Sequence, residues 1–218
     1  HVDLGTVAAQ VISILFVILC ILPLHELAHA WVANKLGDPT AKLEGRLTFN
    51  PLASVDPMGA LALLLFGFGW AKPVPVDSRY FRNPKRDMAI TALAGPVSNL
   101  LAAFVGAVLV AVMEAFSPYN SFTNFVYNVL WYYVVVNISL AVFNLIPMPP
   151  LDGSRIVAAF LSDRAMYTYY RYQNLFVMVM FLLLLSGALS GPLATAQTFF
   201  ANIIFSLARA PFQLFGLL

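Results

Sequence analysis

The residues best equipped for chemistry in this 218-residue chain are His25, Glu26 and His29, in the string His25-Glu26-Leu27-Ala28-His29. Residues four apart on a helix lie only about 40° from each other around the axis, so His25 and His29 can grip one metal ion together. Glu26 is rotated by about 100°, free of the metal and placed to take a proton from a water molecule beside it. That is the division of labour in HExxH zinc hydrolysis, in which the metal acidifies a water and the glutamate accepts its proton. The other reading is a pair of packed histidines with a glutamate near the lipid headgroups. An ionisable cluster inside an apolar helix is expensive, at roughly 2.5–3.5 kcal/mol for a central acidic residue, and such clusters point to function by default.

A catalytic zinc needs a third protein ligand. His1 is the one remaining histidine, at the start of the sequence, and Cys20, the only cysteine, points away from His25 by about 140° on the same helix. A carboxylate is therefore expected, and Asp152, Glu44 and Asp56 are the candidates. Asp152 is favoured. It follows the proline-broken stretch Asn144-Leu-Ile-Pro-Met-Pro-Pro-Leu151, and interrupted helices are where polar backbone is tolerated at membrane depth. Its alternative role is to cap a helix starting near Ser154.

Composition places these residues in lipid. The chain is 61% hydrophobic and 10% charged, against about 25% charged in soluble domains. Its formal charge of +2 argues against nucleic acid as a partner, and one cysteine rules out a disulfide framework. Five segments are apolar and long enough to cross a bilayer: 7–36, 87–113, 122–146, 167–189 and 193–217. The expected fold is thus an all-α polytopic membrane protein forming a single domain over 1–218. A small β or re-entrant region at 37–86 separates the first two spans. Within it, the alternation of Ala41, Leu43, Leu47 and Phe49 with polar residues reads as a half-buried strand. Met58–Trp70 would reach only ~20 Å as a helix and reads as re-entrant. On that reading all the Lys and Arg residues between Lys35 and Arg171 share one side, with Arg209 toward the same end, which by the positive-inside rule is cytoplasmic. The expected location is the cell (inner or plasma) membrane, with the first apolar run retained as a helix, the N-terminus outside and the site toward the cytoplasm.

HELAHA (25–30), LAGPVSN (93–99) and NLIPMPPLDG (144–153), in this order, resemble the site-2 protease family of intramembrane zinc metalloproteases. NPLASVDP (50–57) and GWAKPVPV (69–76) are similar to the compact bacterial and archaeal members without an added regulatory domain. The resemblance implies His25, His29 and Asp152 as Zn2+ ligands, Glu26 as general base, and Asn144 as a contact to the substrate backbone or the oxyanion. It further implies that Gly67–Val76 forms an edge near the metal to which an unwound substrate adds as a strand. Asn144 read without the family is an interhelical hydrogen-bonder, and Asn99 is read as a packing residue satisfying backbone freed by Pro96. Ser54 stands where close relatives often carry histidine and is given no role. The implied partners are a transmembrane protein substrate and the bilayer, with no partner chain. A zinc-binding membrane transporter is the rival reading, although it has no need of a non-ligand glutamate between its histidines.

Overall fold

The structure is a computed structural model, and it describes residues 11–12, 15–59, 61 and 71–217. His1 and most of Met58–Trp70 lie outside the described residues, as does the Gly67–Trp70 part of the expected edge. A π-helical turn, Val17–Ile21, leads into α1, Leu22–Lys35. Two single-turn helices follow, α2 (Thr40–Leu43) and α3 (Pro51–Ser54). The long helices α4, Pro84–Phe116, and α5, Ser121–Asn144, come next. The chain ends with α6 (Asp152–Ala158), α7 (Asp163–Arg171), α8 (Gln173–Leu185) and α9 (Ser190–Leu214).

The all-helical expectation holds among the described residues, where the one β feature is an isolated antiparallel bridge between Val55 and Ala71. The strand expected from the alternation after Gly37 does not form. Thr40–Leu43 is instead one helical turn beginning after Pro39, and Asp38 Oδ1 just ahead of it accepts from the Thr40 amide at 2.9 Å and from the Thr40 hydroxyl. Leu43 and Phe49 are left exposed and only Ala41 of the alternating set is buried. A local side-chain bond has outweighed a short hydrophobic pattern.

α4 and α5 are long and apolar enough to cross a membrane, and α8 with α9 would make a third crossing if that pair, bent by 86°, is one span. The expected count of five is therefore not reproduced among the described residues, which hold only part of the first expected segment, 7–36. The fourth expected segment breaks at Tyr172, leaving α8 with 13 residues, or about 20 Å. Most of its apolar residues are exposed, with only Met180 buried.

α4 and α5 are antiparallel about Ser117–Asn120, where Asn120 forms a capping box with Thr123. Small residues on α4 (Ala103, Gly106, Ala107) meet Val134, Ile138 and Val142 of α5 and Ile204 and Ala208 of α9. A Cβ on Gly106 would come within 2.7 Å of the Tyr133 ring, so the two backbones approach as closely as this residue permits. At the end of α4 far from Pro84, Arg209 forms a bidentate pair with Glu114, at 2.9 and 2.7 Å, joined by the Tyr127 hydroxyl at 3.2 Å. Arg209 thus lies at the opposite end from the one expected. At the other end, Lys85 donates to the Leu161 carbonyl and pairs with Asp163, both at a distance near 2.8 Å or below, which ties the start of α4 to α7. The Lys85 ammonium holds the Asp163 carboxyl below the usual carboxylate range.

The Glu114–Arg209 pair is partly exposed, so its coupling is modest. A double-mutant cycle with Glu114→Gln and Arg209→Met, read by thermal unfolding, is expected to return about 1 kcal/mol.

Candidate metal centre

His25 and His29 are buried on α1, one turn apart, facing α4. Asp152 reaches them from the first turn of α6. The chain gets there because α5 stops at Asn144 and three prolines, at 147, 149 and 150, prevent its continuation. Turn hydrogen bonds from Met148 to Ile146 and from Leu151 to Met148 fold the connection, and the Tyr169 hydroxyl on α7 donates to the Pro147 carbonyl at 2.8 Å. Gly153 then packs against the end of α5, where a Cβ would lie 2.3 Å from the Leu145 carbonyl oxygen. Asp152 makes no capping bond to its own helix, and its carboxylate is turned to the imidazoles.

The three ligand atoms form a nearly equilateral triangle. Asp152 Oδ2 lies 3.2 Å from Nε2 of His25 and 3.2 Å from Nε2 of His29, and the two Nε2 atoms are 3.1 Å apart. With metal–ligand bonds of about 2.0–2.1 Å, the edge of a tetrahedron is roughly 3.3–3.4 Å. The triangle therefore matches one face of a tetrahedral zinc site, leaving the fourth position open. Proton accounting favours a cation as well. His29 Nδ1 lies 2.7 Å from the Thr91 carbonyl, which can only accept, so in the neutral ring the proton sits on Nδ1 and Nε2 presents a lone pair. Asp152 Oδ2 has no hydrogen bond of proper geometry among the described residues. His29 Nε2 and Asp152 Oδ2 thus present lone pairs to a point that His25 Nε2 also faces, and a divalent cation there satisfies all three.

Helix α4 builds the floor. Thr91 and Gly95 are one turn apart, and Asp87 and Asn99 extend the same stripe in both directions. A Cβ on Gly95 would meet His29 Nε2 at 2.4 Å and His25 Nε2 at 2.6 Å. No other residue leaves room for the rings. Neither the Thr91 carbonyl nor the Gly95 gap was anticipated from composition. The recurrence of small or polar residues every fourth position (Asp87, Thr91, Gly95, Asn99) in an apolar helix is the signal that reveals them.

Glu26 sits beside the triangle and is not part of it. Its Oε2 accepts from the Val74 amide at 3.0 Å. Val74 lies in an extended stretch held on several sides. Lys72 N–H donates to the Ser54 carbonyl at 2.8 Å, Arg46 binds the Lys72 and Pro73 carbonyls at 2.7 and 3.2 Å, and Asp77 N–H donates to Asp38 at 2.7 Å. Pro73 and Pro75 have no N–H, so the one amide between them is spent on Glu26. Lys72–Val76 is thus a poor edge for strand addition, offering carbonyls in place of alternating donors and acceptors.

The alternatives to Asp152 are elsewhere. Asp56 caps the Met58 and Gly59 amides, Glu44 is exposed and Cys20 is exposed. Asn144 lines the pocket, but its Nδ2 donates to Leu140 one turn back at 3.0 Å in place of crossing to another helix. Asn99, read as packing, also lines this pocket of about 310 Å³.

Comparison with known proteins adds an independent line. Residues 110–187 match the model of peptidase family M50, a stretch that holds Asn144 and Asp152 but not the histidines. YwhC of Bacillus subtilis, a candidate zinc metalloprotease, is 46% identical over 136 residues, covering 62% of this chain and 62% of that protein. Rip2 of Mycobacterium tuberculosis, another candidate zinc metalloprotease, is 30% identical over 171 residues, covering 73% of this chain and 62% of that protein. The zinc metalloprotease MJ0392 of Methanocaldococcus jannaschii is 30% identical over 157 residues, 71% of this chain and 36% of that protein. The chain therefore spans less than two thirds of the length of these relatives. No solved structure matches it.

Because a methyl at Gly95 collides with both ligand nitrogens, Gly95→Ala is expected to weaken binding of a divalent metal by about tenfold or more in a competition titration. Gly191→Ala, where a methyl meets nothing within 4 Å, should leave it unchanged.

Proposed function

We propose that the chain is a zinc metalloendopeptidase of the site-2 protease type, a reading supported by its match to peptidase family M50 over residues 110–187 and by its similarity to YwhC and Rip2. Its substrates on this reading are membrane proteins, cut within or near their spanning segments. The observation that carries the proposal is the His25–His29–Asp152 triangle with Glu26 just outside it. A transport site has no use for such a glutamate.

His25 Nε2, His29 Nε2 and Asp152 Oδ2 would hold the zinc. Zinc in such a site supplies an acidified water and a polarised carbonyl. Glu26 is placed to accept the proton of an attacking water and to return it to the nitrogen released when the peptide C–N bond breaks. The Val74 amide fixes one carboxylate oxygen of Glu26, which leaves the other to handle the proton. The Thr91 carbonyl keeps the His29 tautomer that presents Nε2 as a ligand.

The whole of 1–218 acts on this reading as one intramembrane protease domain. α4 and α5 cross the bilayer, flanked by α9 and by α1. The site lies toward the end where the starts of α4 and α7 meet and where basic residues gather, the cytoplasmic end under the positive-inside rule. Its depth is about 16 Å from the start of α4, counted to Gly95.

Two results test this reading. Glu26→Gln should keep its metal while cleaving a single-span protein in vesicles about 10³-fold more slowly. Asp152→Ala should lose both metal and cleavage. A Glu26→Gln variant as active as the wild type would refute the assignment.

A further inference from the structure

We propose that Asn99 is a substrate-binding residue, its side-chain amide pairing with the backbone of the unwound peptide within about two residues of the bond to be cut. This rests on the protease reading above and names a contact that reading lacks.

Asn99 is fully buried, and both its Oδ1 and its Nδ2 are without a hydrogen-bond partner among the described residues. A buried amide with neither group satisfied is costly, and native structures keep such groups where something else completes them. The side chain lines the pocket that holds His25, Glu26, His29 and Asp152. It sits one turn along α4 from Gly95, about 6 Å in axial rise, which is the length of about two extended residues.

The other walls explain why a donor is needed there. An unwound helix segment brings both unpaired C=O and unpaired N–H groups into a dry pocket, and each needs a partner. The Lys72–Val76 wall is poor in donors. Its Lys72 amide is bound to Ser54, its Val74 amide to Glu26, and its two prolines have none. One N–H of Asn144 Nδ2 is committed to Leu140. The Arg155 guanidinium lines this pocket, but also the neighbouring one with Lys85 and Tyr170. Asn99 therefore supplies a neutral donor with no partner among the described residues, together with an acceptor at the same point. One amide can hold one peptide unit through both its groups.

The test has two arms. In the first, Asn99→Leu keeps the volume and removes the polar groups. A side chain present only for packing would lose nothing by this change, and removing an unsatisfied buried amide raises stability. The proposal expects an unchanged or higher thermal midpoint and unchanged metal content, with kcat/KM for a single-span substrate lowered about tenfold or more. Unchanged kcat/KM with intact metal would overturn it.

The second arm reads contact without turnover. In a Cys20→Ser, Glu26→Gln background, a single cysteine replaces Asn99 and is oxidised against substrates carrying one cysteine at successive positions in the same vesicles. Cross-links are expected only within about two residues of the cleavage site, and none from Val97→Cys or Leu101→Cys, which sit on the exposed face of α4. If Ala71→Cys in the pocket wall captures the substrate and Asn99→Cys does not, the Asn99 contact is refuted and the protease reading stands. If no pocket position captures a protein that the wild type cuts, both fail.

Discussion

Two imidazole nitrogens and a carboxylate oxygen stand 3.1 to 3.2 Å from one another in a buried cleft, and the carboxylate oxygen has no hydrogen bond of good geometry. Such an arrangement is unfavourable by itself, since lone pairs are being driven together away from water. A divalent cation at their common centre reverses the sign of the interaction. Much of the molecule can be understood as scaffolding that brings these atoms to one place. α1 supplies a rigid four-residue spacing, the proline-broken connection after α5 swings Asp152 around, and α4 is hollowed at Gly95 to make room.

The second constraint is the clamp on Lys72–Asp77. Arg46, Asp38, Ser54 and Glu26 each hold a different backbone group of this stretch. Three of those residues lie on connections or a single-turn helix, and the fourth is Glu26, the proposed acid–base group. The clamp thus fixes one wall of the cleft and the orientation of Glu26 through the same hydrogen bonds. The two prolines ensure that the Val74 amide has no neighbouring donor to compete for the glutamate.

The chemistry was more legible in the sequence than the architecture was. His25, Glu26 and His29 follow from helical spacing, and Asp152 from the prolines that stop α5 before it. Local geometry decides these, so a string of residues suffices. Gly95 and the Thr91 carbonyl are harder to see, because one acts by lacking a side chain and the other through backbone. They become visible only when the four-residue stripe on α4 is followed. The strand expected near Ala41 failed because Asp38, bonded to the Thr40 amide, turns the chain into the single-turn helix Thr40–Leu43. The fourth span failed because hydropathy counts apolar residues and not the direction they run. α8 is apolar after Gln173 and Asn174 yet turns by 86° into α9. Arg209 was placed at the wrong end for the same reason. Its partner Glu114 is 95 residues away, and no local pattern connects them.

The most direct test of the central claim is X-ray absorption at the zinc edge on the purified, zinc-loaded protein. A first shell of two imidazole nitrogens and light oxygen donors at about 2.0–2.1 Å, falling to no bound zinc when Asp152 and His25 are replaced together, is the expected result. A shell with one imidazole or none, or with sulfur at about 2.3 Å, would contradict it.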